Sequence, residues 1–148
     1  MAHLRQPLRS WPLTRHMGRS AGNLNSATKE VLCVDDDANT LNVRKLVLEA
    51  SGYKVHLANS GENAISILAN GQDVDLVLLD YLMPPGMNGD ELASQLRRKY
   101  PELPLIAISA VGQLPATLLE AVDAHLQKGQ DPEVLLATIS AVLEPTER

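Results

Sequence analysis

The sequence predicts an α/β fold made of five strand-helix units in succession. From Glu30 onward, short apolar runs of strand length alternate with segments in which apolar residues recur at helical spacing. No long structureless stretch interrupts the alternation. Such a pattern is typical of a parallel sheet whose strands are joined by right-handed helical crossovers.

The first unit begins with the apolar run at residues 31–34, which we predict to be strand one. Helix one is predicted from apolar residues at positions i, i+3, i+4 and i+7, followed by a glycine that ends the helix. These residues are Val43, Leu46, Val47 and Ala50, with Gly52 as the stop. We therefore expect the four apolar residues to form the buried face of helix one.

The second unit combines a short strand with a capped helix. Residues 54–58 are predicted as strand two, and Ser60 is of a type that caps helix N-termini. The inner face of helix two is predicted to be Ile65, Leu68 and Ala69, with Gly71 after its end. Strand three is predicted at residues 76–79.

The remaining helices carry clear start and stop signals. Asn88 and the acids at 90 and 91 open helix three, and Pro101 follows its basic last turn. Helix five begins at Asp131, with Pro132 at its first position. Strand four is predicted at 103–108 and strand five at 124–127. The predicted apolar face of helix three is Leu92, Leu96 and Tyr100, and that of helix four is Leu114, Leu118 and Val122. The predicted inner face of helix five is Leu135, Thr138, Ile139 and Val142.

Charge is distributed unevenly along the 148-residue chain. Residues 30–148 hold 8 basic and 18 acidic side chains, a net charge of −10, whereas residues 1–28 contain arginines and no acid. An acidic surface repels phosphate backbones, so we expect no direct DNA binding by the domain. Residues 1–28 are predicted to be a disordered basic leader, with an organelle transit peptide as an alternative. The domain is predicted at 29–144, followed by a short tail at 145–148.

Hydropathy and cysteine content indicate a soluble cytoplasmic protein. No apolar run approaches the length of a membrane span, and the N-terminus lacks the apolar segment of a secretory signal. The single cysteine, Cys33, lies within strand one, where we expect a small buried residue in a reducing compartment.

Polar side chains follow four of the five predicted strands. Asp35 and Asp36 follow strand one, Asp80 follows strand three, Ser109 follows strand four and Lys128 follows strand five. Because these strand ends lie on one edge of an open parallel sheet, we expect the five side chains to converge there. Each is weak evidence alone, since an acid after a strand usually caps a helix, as we expect of Asp37.

Three clustered carboxylates predict a cation site. Two like charges about 5 Å apart repel by roughly 3 kcal/mol at an effective dielectric constant of about 20, so the cluster needs a cation to stay ionised. Oxygen ligands favour Mg²⁺, which also accepts a phosphate oxygen. Asp80 is the best-placed nucleophile for phosphorus, with Lys128 to neutralise the transferred group and Ser109 to donate a hydrogen bond to it.

With these motifs, residues 30–143 resemble a receiver domain of the two-component response regulator family. The matching features are Asp35-Asp36-Asp37 after strand one, Asp80 with Met83-Pro84 and Gly89, Ile108-Ser109-Ala110, and Lys128. The resemblance implies a flavodoxin-like, doubly wound (βα)5 fold with strand order 2-1-3-4-5. It also implies that a sensor histidine kinase or phosphotransfer protein supplies the phosphoryl group.

The resemblance assigns a role to each site residue. Asp80 is the phosphoacceptor, and Ser109 and Lys128 contact the phosphoryl group. Asp36, Asp80 and the backbone carbonyl of Leu82 are implied ligands of Mg²⁺, and Asp35 is implied to act on the metal through a water molecule.

Three positions depart from the family pattern. Pro85 is an apparent extra residue in the loop after Asp80, Gly129 stands where a proline usually follows the lysine, and His125 occupies the position of an aromatic switch residue. We interpret His125 as a partly buried packing residue. The segment from Ser109 to Lys128 is also short, which predicts a trimmed fourth helix or loop.

Two alternatives to phosphotransfer stay open. The altered positions at His125 and Gly129 allow a phosphorylation-independent docking module. The run Asp35-Asp36-Asp37-Ala38-Asn39-Thr40 approaches the motif of haloacid dehalogenase-like phosphatases, but Thr40 is displaced and Lys128 stands where such enzymes need late acids.

No output domain is visible in the sequence, so we expect a stand-alone receiver that signals through an unidentified downstream protein effector. Its chemistry would be limited to self-catalysed phosphorylation and dephosphorylation, and it would not be an enzyme acting on an external metabolite. Homodimerisation on phosphorylation is left open.

Overall fold

The computed structural model describes residues 27–144. The predicted leader at 1–28 lies outside this range except for Ala27 and Thr28, and the predicted tail at 145–148 lies wholly outside it.

Five strands alternate with five helices, as the apolar pattern predicts. Their bounds are β1 Glu30–Val34, α1 Ala38–Ala50, β2 Lys54–Ala58, α2 Gly61–Ala69, β3 Leu76–Asp80, α3 Gly89–Lys99, β4 Leu105–Ser109, α4 Ala116–Ala121, β5 Ala124–Gln127 and α5 Pro132–Leu143. The predicted strand four, at 103–108, begins two residues too early: in the structure Leu103 and Pro104 lie ahead of β4.

The strands form one parallel sheet in the order β2-β1-β3-β4-β5. This confirms the strand order that the family resemblance implied. β1, β3 and β4 lie inside the sheet, and all their residues are buried. Their continuous apolar runs are expected for parallel strands that are covered by helices on both faces.

Two clusters of buried residues lie on opposite faces of the sheet. One cluster joins the sheet to α2, α3 and α4 through residues such as Leu68, Leu92 and Leu118. The other joins it to α1 and α5 through residues such as Leu48 and Ile139. The sheet is therefore doubly wound, with helices on both faces. The ends of its strands are left to carry a site.

The predicted buried face of α1 is wrong. Val43 and Leu46 are 61% and 70% exposed, whereas the buried residues of α1 are Leu41, Arg44 and Leu48. Relative to the predicted orientation, α1 is rotated about its axis so that Arg44 faces inward beside the acidic end of β1. Leu41 and Leu48 lie on the same face of the helix as Arg44. Similarly, Ala64 rather than the exposed Ala69 packs inward in α2.

The helix caps match the sequence prediction only in part. Asp37 and Ser60 accept hydrogen bonds from the backbone N–H of Asn39 and Asn63, so both are caps as predicted. Asn88 and Asp131 stand at the predicted N-cap positions but make no side-chain cap bond. Instead, the Asn88 side-chain oxygen accepts from the Met83 N–H at 2.9 Å, which closes the loop after β3.

Cys33 is buried within β1 with no disulfide partner among residues 27–144, and burial raises its pKa to about 12. It therefore stays a neutral thiol and acts as a core residue. Across the part of the chain that the structure describes, no helix has both the length and the apolar character to cross a membrane.

Candidate functional site

The strand registers bring the five predicted site residues to one edge of the sheet. Val34 pairs with Leu79, so Asp35 and Asp80 occupy the next positions on neighbouring strands. Ser109 pairs with Gln127, so Lys128 follows directly beside Ser109. The convergence that the sequence predicts is therefore a consequence of the parallel register.

Three of these residues form an acidic cluster. Asp35, Asp36 and Asp80 each offer a carboxylate oxygen, and these atoms all lie within 4.8 Å of one another. Asp35 is fully buried and Asp80 is 4% exposed, while Asp36 lies at the solvent-accessible side. An all-oxygen set of this kind, with one open side, fits a hard divalent ion that keeps some of its waters.

Lys128 lies directly against the two buried carboxylates. Its Nζ is 3.1 Å from Asp80 Oδ2 and 3.2 Å from Asp35 Oδ2. The backbone N–H of Lys128 also donates to the Ser109 carbonyl at 2.8 Å, which continues the β4–β5 ladder past the strand end. Lys128 is thus held at the site although Gly129 follows it, with a φ of 88°.

The charges around Asp80 act in opposite directions on its pKa. Burial raises the pKa of Asp80, the nearby Asp35 charge raises it further, and Lys128 lowers it by less, so the pKa lies above its ordinary value. Burial lowers the pKa of Lys128, but Asp80 and Asp35 together raise it above its ordinary value. The cluster therefore favours a bound cation, since Asp80 is costly to keep ionised even with Lys128 beside it.

Asp37 does not belong to the cluster. It caps α1, and the Thr40 hydroxyl also donates to it at 2.8 Å. The hydrogen bonds from Thr40 and Asn39 lower the pKa of the exposed Asp37. In turn, the Asp37 N–H donates to Asp35 Oδ1 at 2.9 Å and so fixes the Asp35 side chain.

Ser109 and Leu82 lie at the same edge in less direct positions, whereas His125 lies inside β5, where it pairs with Ala107. Ser109 is buried, and its oxygen accepts from the Val111 N–H at 3.0 Å, which leaves the hydroxyl hydrogen able to donate. Leu82 lies two residues after Asp80, and its side chain is 45% exposed. His125 in β5 is half-buried.

Sequence reasoning missed one residue of the site, Arg44. Its Nη1 is 3.4 Å from Asp35 Oδ2, the oxygen that Lys128 also contacts, and the residue is 9% exposed. The spacing of Leu41, Arg44 and Leu48 was the available signal. Val43, Leu46 and Val47 offer a fully apolar alternative for the buried face, and this alternative hides the signal.

The fold and the cluster together define a doubly wound α/β domain with a carboxylate site at the carboxyl ends of its strands. The family described as the response regulator receiver domain matches residues 31–140. The chain therefore belongs to the response regulator receiver family, as the resemblance in the sequence predicted.

Curated relatives and solved structures agree with this family. The Staphylococcus aureus response regulator SaeR is 31% identical over 116 residues, which cover 76% of this chain and 50% of that protein. The chain thus spans about half the length of this relative.

Two solved receiver structures are similar to this chain in shape. A CheY-like receiver domain protein from Methanospirillum hungatei has a TM-score of 0.75 at 30% identity, with 80% of this chain and 95% of that chain covered. The response regulator TrrA from Thermotoga maritima, solved in complex with Mg²⁺-BeF, has a TM-score of 0.73 at 30% identity, with 78% and 100% covered.

Proposed function

We propose that this chain is a response regulator receiver whose Asp80 accepts a phosphoryl group in a Mg²⁺-dependent reaction. The observation that carries the proposal is the contact of Lys128 Nζ with Asp80 Oδ2 at 3.1 Å inside a cluster of three carboxylates. A nucleophilic carboxylate, a cation site and an ammonium group are the parts that phosphoryl transfer to aspartate requires.

In this proposal Asp36, Asp80 and the Leu82 backbone carbonyl hold Mg²⁺, and Asp35 acts through a bound water. The close approach of the Asp35, Asp36 and Asp80 oxygens supports the assignment, as does the Mg²⁺-BeF complex of the Thermotoga maritima relative. The metal would supply positive charge to the transferring phosphoryl oxygens and offset the repulsion among the carboxylates.

The chain's own residues perform the transfer step. A carboxylate oxygen of Asp80 forms a bond to phosphorus while the phosphorus-nitrogen bond of a phosphohistidine breaks, and the imidazole nitrogen keeps the electron pair. Lys128 balances the negative charge on the phosphoryl oxygens, and the Ser109 hydroxyl donates a hydrogen bond to one of them. The product is an aspartyl phosphate, and no external metabolite is turned over.

The proposed phosphodonor is a sensor histidine kinase or a phosphotransfer protein. A groove of about 370 Å³ runs between α1 and the start of α5, and Lys128, Val43 and Leu135 are among its lining residues. Because Lys128 lines the groove and also contacts Asp80, a partner bound there would have its phosphohistidine close to the phosphoacceptor.

The wider organisation of the protein belongs to the same proposal. We place the receiver at residues 29–144, between a leader at 1–28 and a tail at 145–148. The receiver would act in the cytoplasm, where phosphoryl groups derived from ATP are supplied. It would signal, without direct DNA binding by the receiver itself, through an altered contact with a downstream protein or with a second copy of itself.

The geometry favours phosphotransfer over the two alternatives. A docking module that ignores phosphate has no need for Lys128 to contact Asp80, and this contact is present although Gly129 replaces a proline. A haloacid dehalogenase-like phosphatase needs further acids late in the sheet, whereas β5 is followed by Lys128.

The test is incubation of the protein with acetyl phosphate, with and without Mg²⁺, followed by intact-mass measurement. We expect the mass of one phosphoryl group to be gained only with Mg²⁺, and we expect Asp80→Asn to gain none. Asp131→Asn, an exposed aspartate at the start of α5, is the matched control and should label like the wild type.

Equal labelling of wild type and Asp80→Asn would contradict the proposal. Catalytic release of phosphate from a generic phosphate ester would support the phosphatase instead. Partner binding that is the same with and without phosphodonor, and the same in Asp80→Asn, would support the docking module.

A further inference from the structure

A second positively charged side chain, besides Lys128, contacts the acidic cluster, and the proposed chemistry does not use it. Arg44 extends from the buried face of α1, and its Nη1 lies 3.4 Å from Asp35 Oδ2. Charged side chains are seldom buried without a partner, and Asp35 is that partner here. The position of Arg44 inside the fold is therefore tied to the charge of Asp35.

Arg44 and Lys128 share one oxygen of the cluster. Lys128 Nζ is 3.2 Å from the same Asp35 Oδ2 that Arg44 approaches. The three carboxylates and the two cations together leave one net negative charge at the site. Without Arg44, the same site would carry two net negative charges.

We propose that Arg44 is a positioning residue that neutralises Asp35 and thereby sets a low affinity of the acidic cluster for Mg²⁺. It acts through Asp35, without touching the metal or the phosphoryl group. This inference rests on the proposed function, because it takes the Asp35, Asp36 and Asp80 cluster as the Mg²⁺ site.

Two physical effects lead to the lower affinity. A fixed positive charge beside the site repels a divalent cation, and a guanidinium keeps its charge throughout the physiological pH range. Arg44 also occupies a lone pair of Asp35 Oδ2, which lowers the negative potential that Asp35 offers to a metal or its bound water. Both effects disappear when the positive charge is removed.

A purely structural role for Arg44 predicts the opposite result. If Arg44 only held Asp35 in place, its loss would let the carboxylate move and would weaken metal binding. A gain in Mg²⁺ affinity on loss of Arg44 therefore separates charge control from simple support.

The experiment measures Mg²⁺ binding to the unphosphorylated full chain by titration calorimetry. Arg44→Met should bind Mg²⁺ about tenfold more tightly than the wild type. Arg44→Gln, which also removes the charge but can still donate a hydrogen bond, should do the same. Arg44→Lys keeps the charge and should stay within about threefold of the wild type.

Lys54→Met is the matched control. It removes one positive charge from the exposed first residue of β2, at the opposite end of the strands from the acidic cluster. Its Mg²⁺ affinity should equal that of the wild type, since exposed charges separated by more than about 10 Å are largely screened at about 0.1 M salt.

Thermal unfolding gives a second reading of the same effect. Arg44→Met should unfold at a lower temperature than the wild type without Mg²⁺, because Asp35 stays buried with one cation fewer. Added Mg²⁺ should then raise its unfolding temperature by more than it raises that of the wild type.

Equal or weaker Mg²⁺ binding by both Arg44→Met and Arg44→Gln would overturn the inference and leave the proposed function standing. So would failure of both variants to fold at any Mg²⁺ concentration, because the metal should replace the lost charge. Absence of Mg²⁺ binding in the wild type would overturn the inference and the proposed function together.

Discussion

Asp80 combines burial with two charged neighbours of opposite sign. Burial and the charge of Asp35 raise its pKa by more than Lys128 lowers it. Folding is therefore less favourable with Asp80 ionised than with Asp80 neutral. The stability that comes from the neutral form of Asp80 is fully present below the ordinary aspartate pKa of 3.8. This stability is lost as the pH rises through the higher pKa that Asp80 has in the folded protein.

Asp80→Asn should consequently stabilise the protein at neutral pH in the absence of Mg²⁺. The expected gain in the free energy of unfolding is on the order of 1 kcal/mol at pH ~7, and it should shrink as the pH falls toward ~4. Denaturant unfolding at a series of pH values measures this. Glu120→Gln on the exposed side of α4 is the control, expected to change stability by less than about 0.5 kcal/mol. A less stable Asp80→Asn at neutral pH would contradict the assignment of cost to this carboxylate.

At the scale of the elements, the strands were more predictable than the helix faces. β1, β3 and β4 read as continuous apolar runs because they are buried on both sides, so their positions follow from composition alone. The buried face of α1 does not follow from composition in this way. Arg44, which contacts the buried Asp35, takes an inward position that an apolar pattern would assign to valine or leucine. Val43 and Leu46 remain exposed, although they fit an apolar stripe as well as the buried Leu41 and Leu48 do.

The loop between β3 and α3 depends on one glycine. Gly89 donates its N–H to the Tyr81 carbonyl at 2.6 Å, and a Cβ on Gly89 would meet the Asp80 carbonyl oxygen and lie 2.9 Å from Tyr81 Cα. Both obstacles are backbone atoms at the end of β3. They can move only if the segment that carries Asp80 moves with them.

Gly89→Ala is therefore expected to lower the free energy of unfolding by about 2 kcal/mol and to reduce labelling of Asp80 by acetyl phosphate. Gly112→Ala is a matched control, since a Cβ there meets nothing within 4 Å and its expected effect is within about 0.5 kcal/mol. Denaturant unfolding and intact-mass labelling test both variants. If Gly89→Ala matched Gly112→Ala in both measurements, the close approach at Gly89 would be of no consequence.

At the scale of the whole molecule, the parallel sheet accounts for most of the candidate site. Asp35, Asp36, Asp80, Ser109 and Lys128 could be predicted to converge because each follows a strand, and the strand ends share one edge. Side-chain orientation could not be predicted in the same way. The Ser109 oxygen accepts from the Val111 N–H two residues later, which depends on the local path of the loop after β4. Arg44 reaches the cluster from α1, which depends on packing between elements, and no strand pattern encodes either feature.

The most direct test of the central claim is to locate the phosphoryl group in the chain. Borohydride reduces an acyl phosphate to an alcohol, so treatment after incubation with acetyl phosphate marks the modified carboxyl group for peptide mass mapping. We expect the mark on Asp80, dependent on Mg²⁺ and absent without phosphodonor. A mark on another aspartate, or equal marking of Asp80 without Mg²⁺, would contradict it.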